Sequence, residues 1–70
     1  MITRQEMADT IKRARLSKGL TQAELGKLIG YDKEAGKYVR DFENGRTYPP
    51  YVRIRAISTV LDIPLDKLVP

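Results

Sequence analysis

The stretch Gly19-Leu20-Thr21-Gln22-Ala23-Glu24-Leu25-Gly26-Lys27-Leu28-Ile29-Gly30 sets a short apolar run between two glycines. Thr21 to Glu24 has the form of a capping box. The Thr hydroxyl can accept the backbone N–H at Glu24, while the Glu24 carboxylate reaches back to the N–H of Thr21. Leu20 before the cap and Leu25 inside it can form a hydrophobic staple across the helix entry. The spacing predicts a short helix opened by Thr21, with Ala23, Leu25, Leu28 and Ile29 inward, and Gly30 ends it.

Upstream, Met7, Ile11 and Ala14 recur at spacings of four and three, with Ala8 beside them, over Thr3 to Lys18. That is the apolar stripe of an amphipathic helix, and Lys12, Arg13 and Lys18 occupy its other side. Thr3 and Glu6 offer a second capping box, and Gly19 is the stop. Two short helices are thus joined by a tight turn at Gly19-Leu20.

Downstream, Ala35, Val39 and Phe42 form a third helical face that closes at Asn44-Gly45. Its start has two readings. Asp32 can cap a helix running through Gly36, or residues 32–34 form a loop and the helix begins near Ala35–Gly36. A glycine inside a helix costs about 1 kcal/mol relative to Ala, which favours the later start. Pro49 and Pro50 hold the preceding residues out of the helical region. A fourth helix then follows from about Tyr51 to Leu61, with Val52, Ala56, Ile57, Val60 and Leu61 inward. Pro64 suits the first turn of a fifth short helix to Val69. No segment alternates in the manner of a strand, so the expected fold is all-α with five short helices.

Composition bounds the function. The chain has 70 residues, no Cys and no His, and thirteen Lys and Arg against nine Asp and Glu, for a net charge of +4. Thiolate and imidazole metal sites, cysteine nucleophiles and histidine acid–base chemistry are therefore excluded. Neither disulfide nor zinc can staple a core this small, so apolar packing must hold it, helped if need be by a second subunit. No apolar run is long enough to span a membrane, and the first residues do not read as a signal peptide. The charge is unevenly placed. Residues 33–55 carry six positive and three negative side chains, whereas residues 56–70 carry Lys67 against Asp62 and Asp66. A basic middle fits a polyanionic partner.

The runs Ile11-Lys12-Arg13-Ala14-Arg15, Gly19 to Leu25, Ile29-Gly30 and Val39 to Arg46 together resemble the Cro and phage-repressor (XRE) type of helix-turn-helix domain. The similarity continues through Ile57, Val60 to Ile63 and Leu65 to Leu68. It implies a lambda-repressor-like domain over 1–70, with the helix-turn-helix at about 21–44 and no enzymatic activity or cofactor. It implies a transcriptional regulator, repressor or activator, that binds a palindromic operator in double-stranded DNA as a homodimer in the cytoplasm of a bacterial or phage-infected cell. By the same resemblance the third helix enters the major groove, and Gly36, Lys37, Tyr38, Arg40 and Asp41 fall at its base-reading positions.

Gln22 falls where the family meets the DNA backbone, and Arg46, Thr47 and Tyr48 fall on the following loop that crosses it. Lys33 and Arg53 are further phosphate candidates. Arg15 and Glu43 match positions that form a buried ion pair orienting the third helix. The apolar, slightly acidic segment 62–70, through Ile63, Leu65, Leu68 and Val69, is either the dimer surface or the closing side of the core. One departure stands out: between Gly30 and Glu43 the chain is about three residues longer than the common family pattern. Two alternatives share the fold. One is the DNA-binding fragment of a longer repressor, suggested by the abrupt Val69-Pro70 ending. The other is an antitoxin or other protein-binding module with an unknown protein partner.

Overall fold

The computed structural model describes residues 2–69, leaving Met1 and the last residue of the expected 62–70 segment, Pro70, outside the described residues. Four α-helices follow one another: α1 Arg4–Ser17, α2 Gln22–Leu28, α3 Ala35–Glu43 and α4 Tyr51–Leu61. A single 3-10 turn, Leu65–Lys67, follows them, and the described residues contain no strand. The fold is all-α, as the apolar spacings predict. The fifth helix is only that turn, held by Lys67 N–H to Pro64 C=O and Leu68 N–H to Leu65 C=O. These are i+3 bonds, and one longer i+4 bond, Val69 N–H to Leu65 C=O at 3.2 Å, follows them.

Both capping boxes form. The Thr3 hydroxyl accepts from Glu6 N–H, and the Thr21 hydroxyl accepts from Glu24 N–H at 3.0 Å. Each Glu carboxylate accepts the return bond from its cap backbone at 2.8 Å. The third helix takes the later start, at Ala35. Glu34 at its N-cap has φ 52 and no side-chain capping bond.

The core draws on every helix: Met7 and Ile11 from α1, Leu25 and Ile29 from α2, Val39 and Phe42 from α3, Ile54, Ile57 and Leu61 from α4. Three inward assignments change. Val52 is 63% exposed, and Ile54 is buried in its place. The buried stripe of α4 runs through Ile54, Ile57 and Leu61, spacings of three and four that leave Val52 on the opposite side. Leu28 is 56% exposed, and Ala23 is also exposed; only Leu25 and Ile29 of the four expected α2 residues reach the core. A two-turn helix has room for one narrow stripe.

Helices α2 and α3 meet through small residues. A Cβ at Gly26 would lie 2.4 Å from the Ala35 carbonyl oxygen, so the start of α3 lies directly against α2. Gly36 lies over Ala23, where a Cβ would meet the Ala23 backbone nitrogen at 3.4 Å. Ile63 and Leu68, expected at a dimer surface, are 8% and 0% exposed and join the protomer's own core. That is a correction with a plain cause: α4 ends at Asp62 in the left-handed conformation, which turns the chain back over the helices. Leu65 and Val69 are half-buried beside them.

Candidate nucleic-acid interface

Helix α3 has two unlike sides. Ala35, Val39, Phe42 and Glu43 are buried, whereas Lys37, Tyr38 and Arg40 are exposed and Asp41 is half-buried. The recurrence of apolar positions at four and three turns the remaining ones outward together. Lys37 and Arg40, three apart, thus form an outward ridge of two cations, and Tyr38, two before Arg40, lies on the flank toward the loop before α3. Gly36 does not belong to the ridge. A side chain there would point at Ala23 of α2, so the position serves packing between the two helices. Asp41 is ion-paired with neither Lys37 nor Arg40.

The buried side of α3 is pinned by charge. Arg15 Nε donates to Glu43 Oε2 at 2.6 Å and its Nη2 to Oε1 at 2.9 Å, a two-pronged pair with both residues 7% exposed. A third N–H of Arg15 donates to the Leu20 carbonyl at 2.7 Å. One guanidinium therefore ties α1 to the end of α3 and to the turn before α2. The pairing with Glu43 holds the Arg15 pKa above its ordinary value. Buried polar side-chain atoms among the described residues all have partners. Gln22, expected at a phosphate, donates one amide N–H to Glu43 Oε1 at 3.2 Å and is half-buried. It completes the pair from the α2 side.

The loop after α3 is held by the start of the chain. Arg4 Nη1 donates to the Arg46 carbonyl at 3.0 Å, and the Tyr48 hydroxyl donates to the Ile2 carbonyl at 3.3 Å. Arg46, Thr47 and Tyr48 are all exposed, and Arg4 adds a cation beside Arg46. Sequence reasoning missed Arg4, because 42 residues separate the pair and no spacing rule connects them. Lys33 is exposed in the loop before α3, and Arg55 lies exposed on α4.

Arg53, a phosphate candidate in the sequence, is half-buried beside the loop before α3. Its guanidinium carbon lies 4.5 Å above the centre of the Tyr31 ring, and Tyr31 stacks on Tyr38 at 4.3 Å with 10° between the planes. Nothing in the sequence spacing signalled that contact.

A second surface feature lies away from α3. A groove between α1 and the C-terminal segment is lined by Glu6, Asp9, Arg13, Lys18, Asp62 and Lys67 among others, charges of both signs, and no α3 residue reaches it. Among the described residues no cluster of acids assembles to hold a metal ion, and no helix is long and apolar enough to cross a membrane.

Comparison with known proteins agrees with this arrangement. A family model described as helix-turn-helix matches residues 11–68, from the middle of α1 to just past the 3-10 turn. The chain is also similar to the type II methyltransferase M1.ScrFI of Lactococcus lactis subsp. cremoris, 38% identical over 55 residues. That match covers 79% of this chain and 14% of the methyltransferase. No solved structure matches the chain.

Proposed function

The chain belongs to the helix-turn-helix family, and we propose that it is a sequence-specific regulator of transcription that reads double-stranded DNA with α3. The observation that carries this reading is the exposed Lys37 and Arg40 ridge, flanked by exposed Tyr38, on a helix whose other side is anchored by the Arg15–Glu43 pair. A helix held rigidly, with cations and an aromatic outward, suits a major groove about 12 Å wide.

Lys37 and Arg40 are the groups for guanine O6 and N7, and Asp41 is an acceptor for a cytosine amino group. Arg46, Thr47, Tyr48 and Lys33 then hold phosphates to either side, which fixes register without reading sequence. Gln22 retains a second amide N–H for the same purpose. Residues 1–70 act as one domain, with no catalytic role, in the cytoplasm of a bacterial or phage-infected cell. Two copies bind a palindromic operator with half-sites about one helical turn apart. With Ile63 and Leu68 committed to the core, Leu65 and Val69 are what the C-terminal segment offers such a contact.

Selection of bound duplexes from a random pool at physiological salt tests the reading. A palindromic consensus with half-sites one turn apart is expected. An enriched but asymmetric single site would remove the dimer, and no enrichment would remove the specific reader.

The methyltransferase match favours a second arrangement. There, a stretch similar to this chain is a small part of a much longer one. The domain would then be the DNA-reading portion of a larger protein, and the size of the native polypeptide, measured by immunoblot, separates the two.

A further inference from the structure

The loop that separates α2 from α3 builds a column of three side chains. Gly30 adopts φ +104, and a Cβ there would lie 2.8 Å from Arg53 Nη1. The glycine therefore both turns the chain and leaves space for the guanidinium. Tyr31 follows, half-buried, with its ring 6.3 Å from Phe42 of the core. Arg53 lies 4.5 Å above that ring and Tyr38 is stacked on it at 4.3 Å. At these distances a guanidinium and a parallel ring cannot share one face, so Tyr31 is held between them. The order is Arg53, Tyr31, Tyr38, running from α4 to the outer side of α3. Tyr38, the last member, is 41% exposed.

A lone tyrosine on an exposed helical side swings among its rotamers. Here one face of the Tyr38 ring is covered, and the ring can be fixed before any ligand arrives. The apolar feature that a base pair presents in the major groove is the thymine 5-methyl group, and an immobile apolar surface is suited to it. Arg53 is half-buried with its guanidinium on the Tyr31 ring, so its side chain is committed to the column.

We propose that Arg53 and Tyr31 are positioning residues that lock the Tyr38 ring on the DNA-facing side of α3, where it selects thymine through its 5-methyl group. The inference rests on the reading of α3 as a major-groove helix. It assigns Arg53 a part in base selection instead of backbone contact.

The test uses the duplex selected from the random pool, with each thymine replaced in turn by deoxyuridine, which lacks the methyl group. One position per half-site is expected to weaken wild-type binding about fourfold, the worth of one buried methyl. Tyr38→Ala, Arg53→Ala and Tyr31→Leu should each lose that sensitivity, whereas Tyr31→Phe, which retains the ring, should keep it. Circular dichroism checks that each variant is folded, and Tyr31→Phe carries the test if Tyr31→Leu is not. The slope of log affinity against log salt is expected to stay unchanged in Arg53→Ala. A slope reduced by about one unit, with thymine sensitivity intact, would show that Arg53 holds a phosphate and would overturn the column. Enrichment of a duplex in which no thymine is sensitive would also overturn it while leaving α3 as the reader. Failure of the pool to enrich would overturn both.

Discussion

Arg15 and Glu43 form the most consequential contact between single residues. Both are buried, and their two-pronged bond joins α1 to the end of α3. Glu43→Ala would leave the guanidinium unpaired in the core and is expected to cost about 3–5 kcal/mol. A domain of this length has a total stability of the same order, so urea denaturation should find the variant largely unfolded. Replacing both partners, Arg15→Met with Glu43→Leu, should recover much of the loss. It will not recover all of it, because the Leu20 carbonyl and the Gln22 amide lose partners too. Charge at the surface makes stability depend on pH. Hydrogen bonds from Thr21, backbone first, hold the Glu24 carboxyl below its ordinary pKa, and the bond from Lys18 does the same for Asp62. Both groups are ionised more readily in the folded chain than in the unfolded one. Their contribution is therefore complete above the ordinary carboxylate range, about pH 4, and is lost as pH falls through the lower folded values. Melting temperature should decline in that acid window, and Glu24→Gln with Asp62→Asn should flatten the decline.

Between elements, the joint of α2 and α3 depends on two glycines with opposite tolerances. Gly26→Ala would force a methyl group to 2.4 Å from the Ala35 carbonyl, backbone that cannot step aside without moving α3. Marked destabilisation, on the order of 1–3 kcal/mol, is expected from such overpacking. Gly36→Ala meets Ala23 at ordinary contact distance and removes a flexible residue from a helix, so it should be neutral or stabilising by up to about 1 kcal/mol. Thermal melts of the two variants check the contrast.

The helices themselves were legible because each is announced locally. Thr3–Glu6 and Thr21–Glu24 mark two starts, Pro50 precedes a third, and the cost of Gly36 inside a helix placed the start of α3. Burial was less legible where periodicity admits neighbouring stripes. Val52 and Ile54 are both β-branched and two residues apart, and only the packing partners decide between them. In the candidate site, the exposure of Lys37 and Arg40 followed from the Val39–Phe42 face. The Arg53–Tyr31–Tyr38 column and the Arg4–Arg46 bond join residues distant in sequence, and only the fold shows them.

At the scale of the whole molecule, four of the exposed cations behind the net charge of +4 gather around α3. Arg15, the cation of the central ion pair, is buried, and exposed Lys33, Lys37, Arg40 and Arg46 belong to α3 or its flanking loops. Residues Ile63 and Leu68, after α4, close the core and supply its last apolar layer. This leaves dimerisation a smaller apolar surface than residues 62–70 suggested. Sedimentation should find the free protein largely monomeric at low micromolar concentration, with pairing strengthened on a palindromic duplex.

Sequence reading by α3 is the property on which the proposed function depends. Its most direct test is the ratio of affinities for the selected duplex and for bulk duplex, measured by competition at physiological salt. A ratio of about a thousand or more is predicted, falling steeply in Lys37→Ala with Arg40→Ala while the fold is retained. A ratio near one in the wild-type protein would contradict the account.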